Sequence, residues 1–157
     1  MLKKIFASAF RMGLLVALVL VLSACAGGEG DKKTPDNQVN LNYQNKSLGF
    51  ELKLPEVIDF YTTQREEGEN FTDIEFFVPT SDTEYSSQVR NYARPVTVRV
   101  FQGLDRENIG KDSIYEIVGE KDNKIYTLRF WQNIPQDWQE KWNEDLEKNI
   151  KNSFKIN

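Results

Sequence analysis

The chain has 157 residues with 20 basic and 24 acidic side chains, a formal charge of −4, one cysteine and no histidine. The acidic balance argues against nucleic acid and against an electrostatic hold on anionic lipid, and a lone cysteine excludes an internal disulfide. Without histidine, Ser-His-Asp and Cys-His catalysis, histidine-ligated metals and histidine-bound haem are excluded together.

The amino-terminal stretch is basic at Lys3, Lys4 and Arg11, apolar over 12–22 and small at Ser23 and Ala24. That order predicts a secretory signal peptide over 1–24. Its apolar run is about half the roughly 20 residues that a spanning helix needs. Leu22, Ser23 and Ala24 lead directly into Cys25, and this stretch resembles the bacterial lipobox. A thiol suits the position because a thiolate is a good nucleophile and can take a diacylglyceryl group as a thioether.

The resemblance implies cleavage before Cys25 and anchoring to the cell membrane through its sulfur. Each buried methylene contributes about 0.8 kcal/mol, so two or three acyl chains hold almost permanently. Cleavage removes Lys3, Lys4 and Arg11 and leaves the chain more acidic still. Ala26 is not acidic, which permits an outer-membrane location in a host with two membranes. Residues 26–38 are glycine-rich and polar with no apolar period, the composition of a disordered tether with a mean reach of about 20 Å.

From Val39 the composition turns aromatic and β-branched, and a single domain is expected over 39–157. Phe50, Leu52 and Leu54 alternate with Glu51 and Lys53 before Pro55, a half-buried strand. A more polar strand is expected over about 57–64 and a third over 72–78, with Ile74, Phe76 and Val78 on one face and Pro79 ending it. After the polar segment 79–94, Val96, Val98 and Val100 mark a strand over 95–102, with Thr97 and Arg99 pointing away. Residues 114–118 and 124–131 read as a hairpin with Tyr126, Leu128 and Phe130 inward.

Pro135 suits a first helical turn, and Trp138, Trp142, Leu146 and Ile150 recur at i+4 as one apolar stripe. Asp137 and Glu140 come early, and Lys148 and Lys151 late, which complements the helix dipole. A short terminal strand or packed tail is expected at Ser153, Phe154, Lys155 and Ile156.

The run Tyr43-Gln44-Asn45-Lys46-Ser47-Leu48-Gly49-Phe50-Glu51-Leu52-Lys53-Leu54-Pro55 resembles the opening of the Mog1/PsbP-like domains of many small bacterial lipoproteins. The hairpin, the Pro135-Gln136-Asp137 element, the helix and the Ser153-Phe154-Lys155 tail recur in the same order. Ile58 departs from that pattern, standing where such domains commonly place Trp. The resemblance implies an α+β fold: an antiparallel sheet of about six strands covered by helices, one of them in 79–94. It also implies no family-wide enzymatic activity, since relatives serve as binding or assembly modules.

Among candidate ligands, Asp73, Glu75, Asp82 and Glu84 form the densest carboxylate group, suited by charge to a hard cation such as calcium. They fall short of the six to eight oxygens such an ion takes, and no EF-hand spacing is present, so a solvated loop and strand face is the preferred reading. Trp138 and Trp142 belong to the stripe that covers the sheet. Trp131 falls on the opposite side of its strand from Phe130, so it is the aromatic expected to be exposed. With Arg129 and Tyr85 it forms the expected ligand or partner surface.

These readings predict a membrane-anchored extracytoplasmic lipoprotein whose domain is a non-catalytic binding or assembly module of the cell envelope. No cofactor is expected, and the partner is an envelope protein or a small ligand. The alternative is a carboxylate-based hydrolase or a cation-dependent envelope enzyme, which clustered, buried carboxylates in a pocket would favour.

Overall fold

The computed structural model of the chain describes residues 40–86, 88–103, 106–109 and 114–157. The expected signal peptide, Cys25 and the tether lie outside the described residues. Those residues form β1 (Asn42–Asn45), β2 (Phe50–Lys53), β3 (Thr62–Glu67), β4 (Phe71–Pro79), β5 (Tyr92–Gln102), β6 (Glu116–Lys121), β7 (Lys124–Phe130), α1 (Glu144–Ser153) and β8 (Lys155–Ile156). None of the described helices is long and apolar enough to cross a membrane.

The α+β class holds, with every pairing among the described residues antiparallel, but the single sheet of about six strands does not. A five-stranded sheet runs β3-β4-β5-β7-β6, and a separate three-stranded sheet runs β1-β2-β8. Ile74, Phe76, Val96, Val98, Val100, Tyr126 and Leu128 present one buried face of the larger sheet. Leu48, Phe50, Leu52 and Leu54 from the β1–β2 hairpin and Ile150 of α1 join them in one core. The small sheet and α1 thus cover that face, and Phe50 stacks on Phe154 at 5.3 Å between ring centres.

The β1–β2 turn is specified by two residues. Asn45 Oδ1 accepts the Leu48 N–H at 3.0 Å and the Ser47 hydroxyl at 2.9 Å. Gly49 has φ +80°, a conformation that L side chains rarely adopt. The tail fastens there: Asn157 N–H donates to the Gly49 carbonyl at 2.9 Å, and the Tyr126 hydroxyl donates to that of Leu48 at 2.8 Å. The β6–β7 hairpin closes through Asp122 and Asn123, both at positive φ, the backbone that a tight right-twisted hairpin requires.

The carboxy-terminal stripe is not one helix. A 3-10 turn, Gln136–Trp138, is followed by a break, and α1 begins only after Asn143, whose side chain accepts the Leu146 N–H at 3.0 Å. Trp138 and Trp142 are therefore buried from the connecting segment, before the helix. The expected helix in 79–94 is absent among the described residues, where the chain makes turns and bends. The second strand lies at Thr62–Glu67 because Ile58 is drawn into the core from a loop.

Candidate functional site

The other face of the five-stranded sheet is polar and yet largely buried. Register lines up Asp73, Arg99 and Thr127 in one row across β4, β5 and β7, and Glu75, Thr97 and Arg129 in the next. Asp73, Glu75, Thr97 and Thr127 are all buried. Buried carboxylates need charged partners, and each has one. Arg99 grips Asp73 with two bonds, Nε–Oδ1 at 2.7 Å and Nη2–Oδ2 at 2.6 Å, and its guanidinium lies 3.8 Å from the Phe71 ring centre and 4.3 Å from that of Tyr115. Arg94 pairs with Glu75 and also donates to Gln88 Oε1 at 2.9 Å.

Oxygens of Glu66, Asp73 and Glu75 come within 4.8 Å of one another. Two of the three carboxylates are already held by arginines, which leaves too few free oxygens for a hard cation. Asp82 and Glu84 do not join this group, so the four-carboxylate site considered from sequence divides in two. Asp82 instead accepts the N–H groups of Glu84 at 3.0 Å and Gln136 at 2.8 Å.

At the end of the sheet where β4 finishes, β5 starts and β7 finishes, a cleft of about 500 Å³ opens. Phe77 and Arg94 come from β4 and β5, Arg129 and Phe130 from β7, and Asp82, Glu84 and Tyr85 from the segment after β4. Trp131 also lines it. Tyr85, Arg129 and Trp131, selected from the sequence as one surface, thus meet at one cleft.

Their exposure differs from expectation. Trp131 is only 9 % exposed. The strand ends at Phe130, so alternation no longer governs the next residue. Its indole stacks on Trp142 at 5.1 Å and meets Trp138 edge-on at 5.7 Å. Trp131 is a core residue with one edge on the cleft, not an open platform. Arg129 and Tyr85 are half-buried.

Two donors at the cleft are incompletely matched among the described residues. The buried Trp131 Nε1–H has no hydrogen-bond partner among the described residues. Arg129 donates to the Thr97 hydroxyl at 3.3 Å and lies 5.2 Å from the Tyr115 ring centre, and no described carboxylate forms an ion pair with it. Burial raises the Tyr85 phenol above its usual value, while the charges of Arg94 and Arg129 pull against that rise. Tyr85 therefore remains a neutral donor near two guanidinium groups. Arg94 and Gln88 were missed from sequence: Arg94 precedes Pro95 at what looked like a strand start, and Gln88 lay in an unpatterned polar run.

Compared with known proteins, the chain matches no family model, no curated protein and no solved structure.

Proposed function

We propose that this chain is an extracytoplasmic lipoprotein, anchored to the cell membrane through acyl chains on Cys25, whose domain is a non-catalytic binding module using the cleft at the β4, β5 and β7 ends. The observation that carries the binding role is the convergence on one cleft of Tyr85, Trp131 and Arg129, a guanidinium without an ion pair among the described residues. The buried carboxylates nearby are tied to Arg94 and Arg99, which favours a structural use over acid–base chemistry.

A Mog1/PsbP-like fold belongs to the same proposal. Its support is the built role of the motif residues: Asn45 and Gly49 shape the first hairpin turn, and Asp137 of the Pro-x-Asp element ties two loops together. A partner reached through a tether of about 20 Å lies at or near the same membrane.

The test is thermal unfolding of the full chain with a small-molecule extract of the host envelope. The expected result is a rise in Tm that Arg129→Gln loses. No rise, together with equal behaviour of the two chains, overturns the binding role.

A further inference from the structure

We propose that the cleft takes a small organic carboxylate with an aromatic or apolar body; this rests on the binding role and names its ligand class. The volume of about 500 Å³ lies within the range of small-molecule sites, roughly 300 to 1,000 Å³.

The donor count sets the head group. Arg129 presents a planar fork whose described partners are one hydroxyl and one ring face, and a carboxylate matches such a fork with two parallel bonds. Tyr85 adds a hydroxyl on the same cleft, close enough to feel the charge of Arg129. Trp131 lines the same cleft, and its buried indole N–H, which has no partner among the described residues, reports on changes beside the head group.

Charge balance narrows the class further. Arg94 is neutralised by Glu75, so Arg129 is the cleft's one guanidinium without an ion pair among the described residues. Asp82 and Glu84 line the same cleft and repel added negative charge. Either ligand meets one free cation and two acids, and a phosphate dianion sets twice the charge of a monocarboxylate against those acids. Phe77 and Phe130 supply apolar wall for the ligand's body.

The test uses the full chain in detergent, labelled with nitrogen-15, and titrated with phenylacetate, phenylacetamide and inorganic phosphate. The indole N–H signal of Trp131 is assigned by Trp131→Phe. Phenylacetate is expected to move that signal and to bind at least about ten-fold tighter than the amide, a difference of about 1.4 kcal/mol. Phosphate is expected to compete weakly. Arg129→Gln is expected to bring the acid down to the amide's affinity, and Tyr85→Phe to weaken the acid alone; the second variant decides if the first does not fold.

Equal binding of acid and amide overturns the carboxylate while leaving the cleft a binding site. Phosphate binding as tight as phenylacetate overturns the monoanion. No response to any probe, with a Tm rise in the envelope extract, overturns the ligand class and spares the binding role.

Discussion

Asp82 and Asp137 hold each other's segments: Asp82 accepts the Gln136 N–H at 2.8 Å, and Asp137 accepts the Ser81 N–H at 2.9 Å. Asp137 also takes the Thr80 hydroxyl at 2.7 Å and the Ser81 hydroxyl at 3.1 Å. The Trp138 indole completes the clasp by donating to the Pro79 carbonyl at 2.9 Å. One wall of the cleft is thereby fixed to the turn that precedes α1.

Removing the clasp exposes its contribution. Asp137→Ala is expected to cost about 1 to 2 kcal/mol, the range for a few partly solvated hydrogen bonds to a charge, by urea titration. Partial burial raises the Asp137 carboxyl, but the bonds from Ser81 and Thr80 outweigh it and hold the group below its usual 3.8. Since the folded value lies below the unfolded one, this stabilisation is present above the unfolded value and is lost as pH falls through the folded one. The Tm gap between the parent chain and Asp137→Asn is therefore expected to be constant above about pH 5 and to shrink below about pH 4.

The Arg99–Asp73 pair predicts a larger penalty. Asp73 is 2 % exposed, and truncating Arg99 leaves its charge buried and unpaired. Arg99→Met is expected to cost about 3 to 5 kcal/mol in denaturant titration, and adding Asp73→Leu to recover much of it. A cost as large in the double variant as in the single one overturns the ion-pair explanation, leaving the packing of Arg99 on Phe71 as the cause.

The sequence displayed the core face of the large sheet because Ile74, Phe76, Val96, Val98, Val100, Tyr126 and Leu128 recur with a period of two, with Asp73, Glu75, Thr97, Arg99, Thr127 and Arg129 between or beside them. It hid β1, since Asn42, Gln44 and Asn45 carry no strand signal, and pairing with β2 decides the matter. The apolar spacing ran through Asn143 unbroken, so turn and helix looked like one helix, although the burial of Trp138, Trp142 and Ile150 followed as expected. The cleft was legible only in part. Tyr85, Arg129 and Trp131 stood outside the apolar pattern of the sequence, although Trp131 packs in the core and Tyr85 against it. That Arg94 stands beside them depends on the register of β4 and β5, which no local pattern encodes.

Trp142 joins the core and the cleft. It is 4 % exposed, its indole donates to Glu147 Oε1 at 2.8 Å, and its ring supports that of Trp131. Trp142→Ala is expected to destabilise the domain by about 3 to 5 kcal/mol and, in whatever fraction remains folded, to broaden the Trp131 indole signal. A cost below about 1 kcal/mol in denaturant titration would mean that the ring is not core, a value seen for surface changes.

The address of the protein is tested independently of the fold. Cys25→Ser removes the only thiol, and with it the acceptor for a thioether lipid. The full parent chain, extracted from the membranes of its native host, is expected to have the mass of residues 25–157 plus two or three acyl chains. The variant is expected to lose lipid and leave the membrane fraction, while its thermal unfolding matches that of the parent domain. Residue 25 precedes the first strand at Asn42 by a polar, glycine-rich run, so the two losses separate cleanly. A variant still held at the membrane would overturn the lipobox, and with it the requirement that partners lie within a tether's reach of the bilayer. The cleft and its carboxylate chemistry would stand, because they depend only on residues after Asn40.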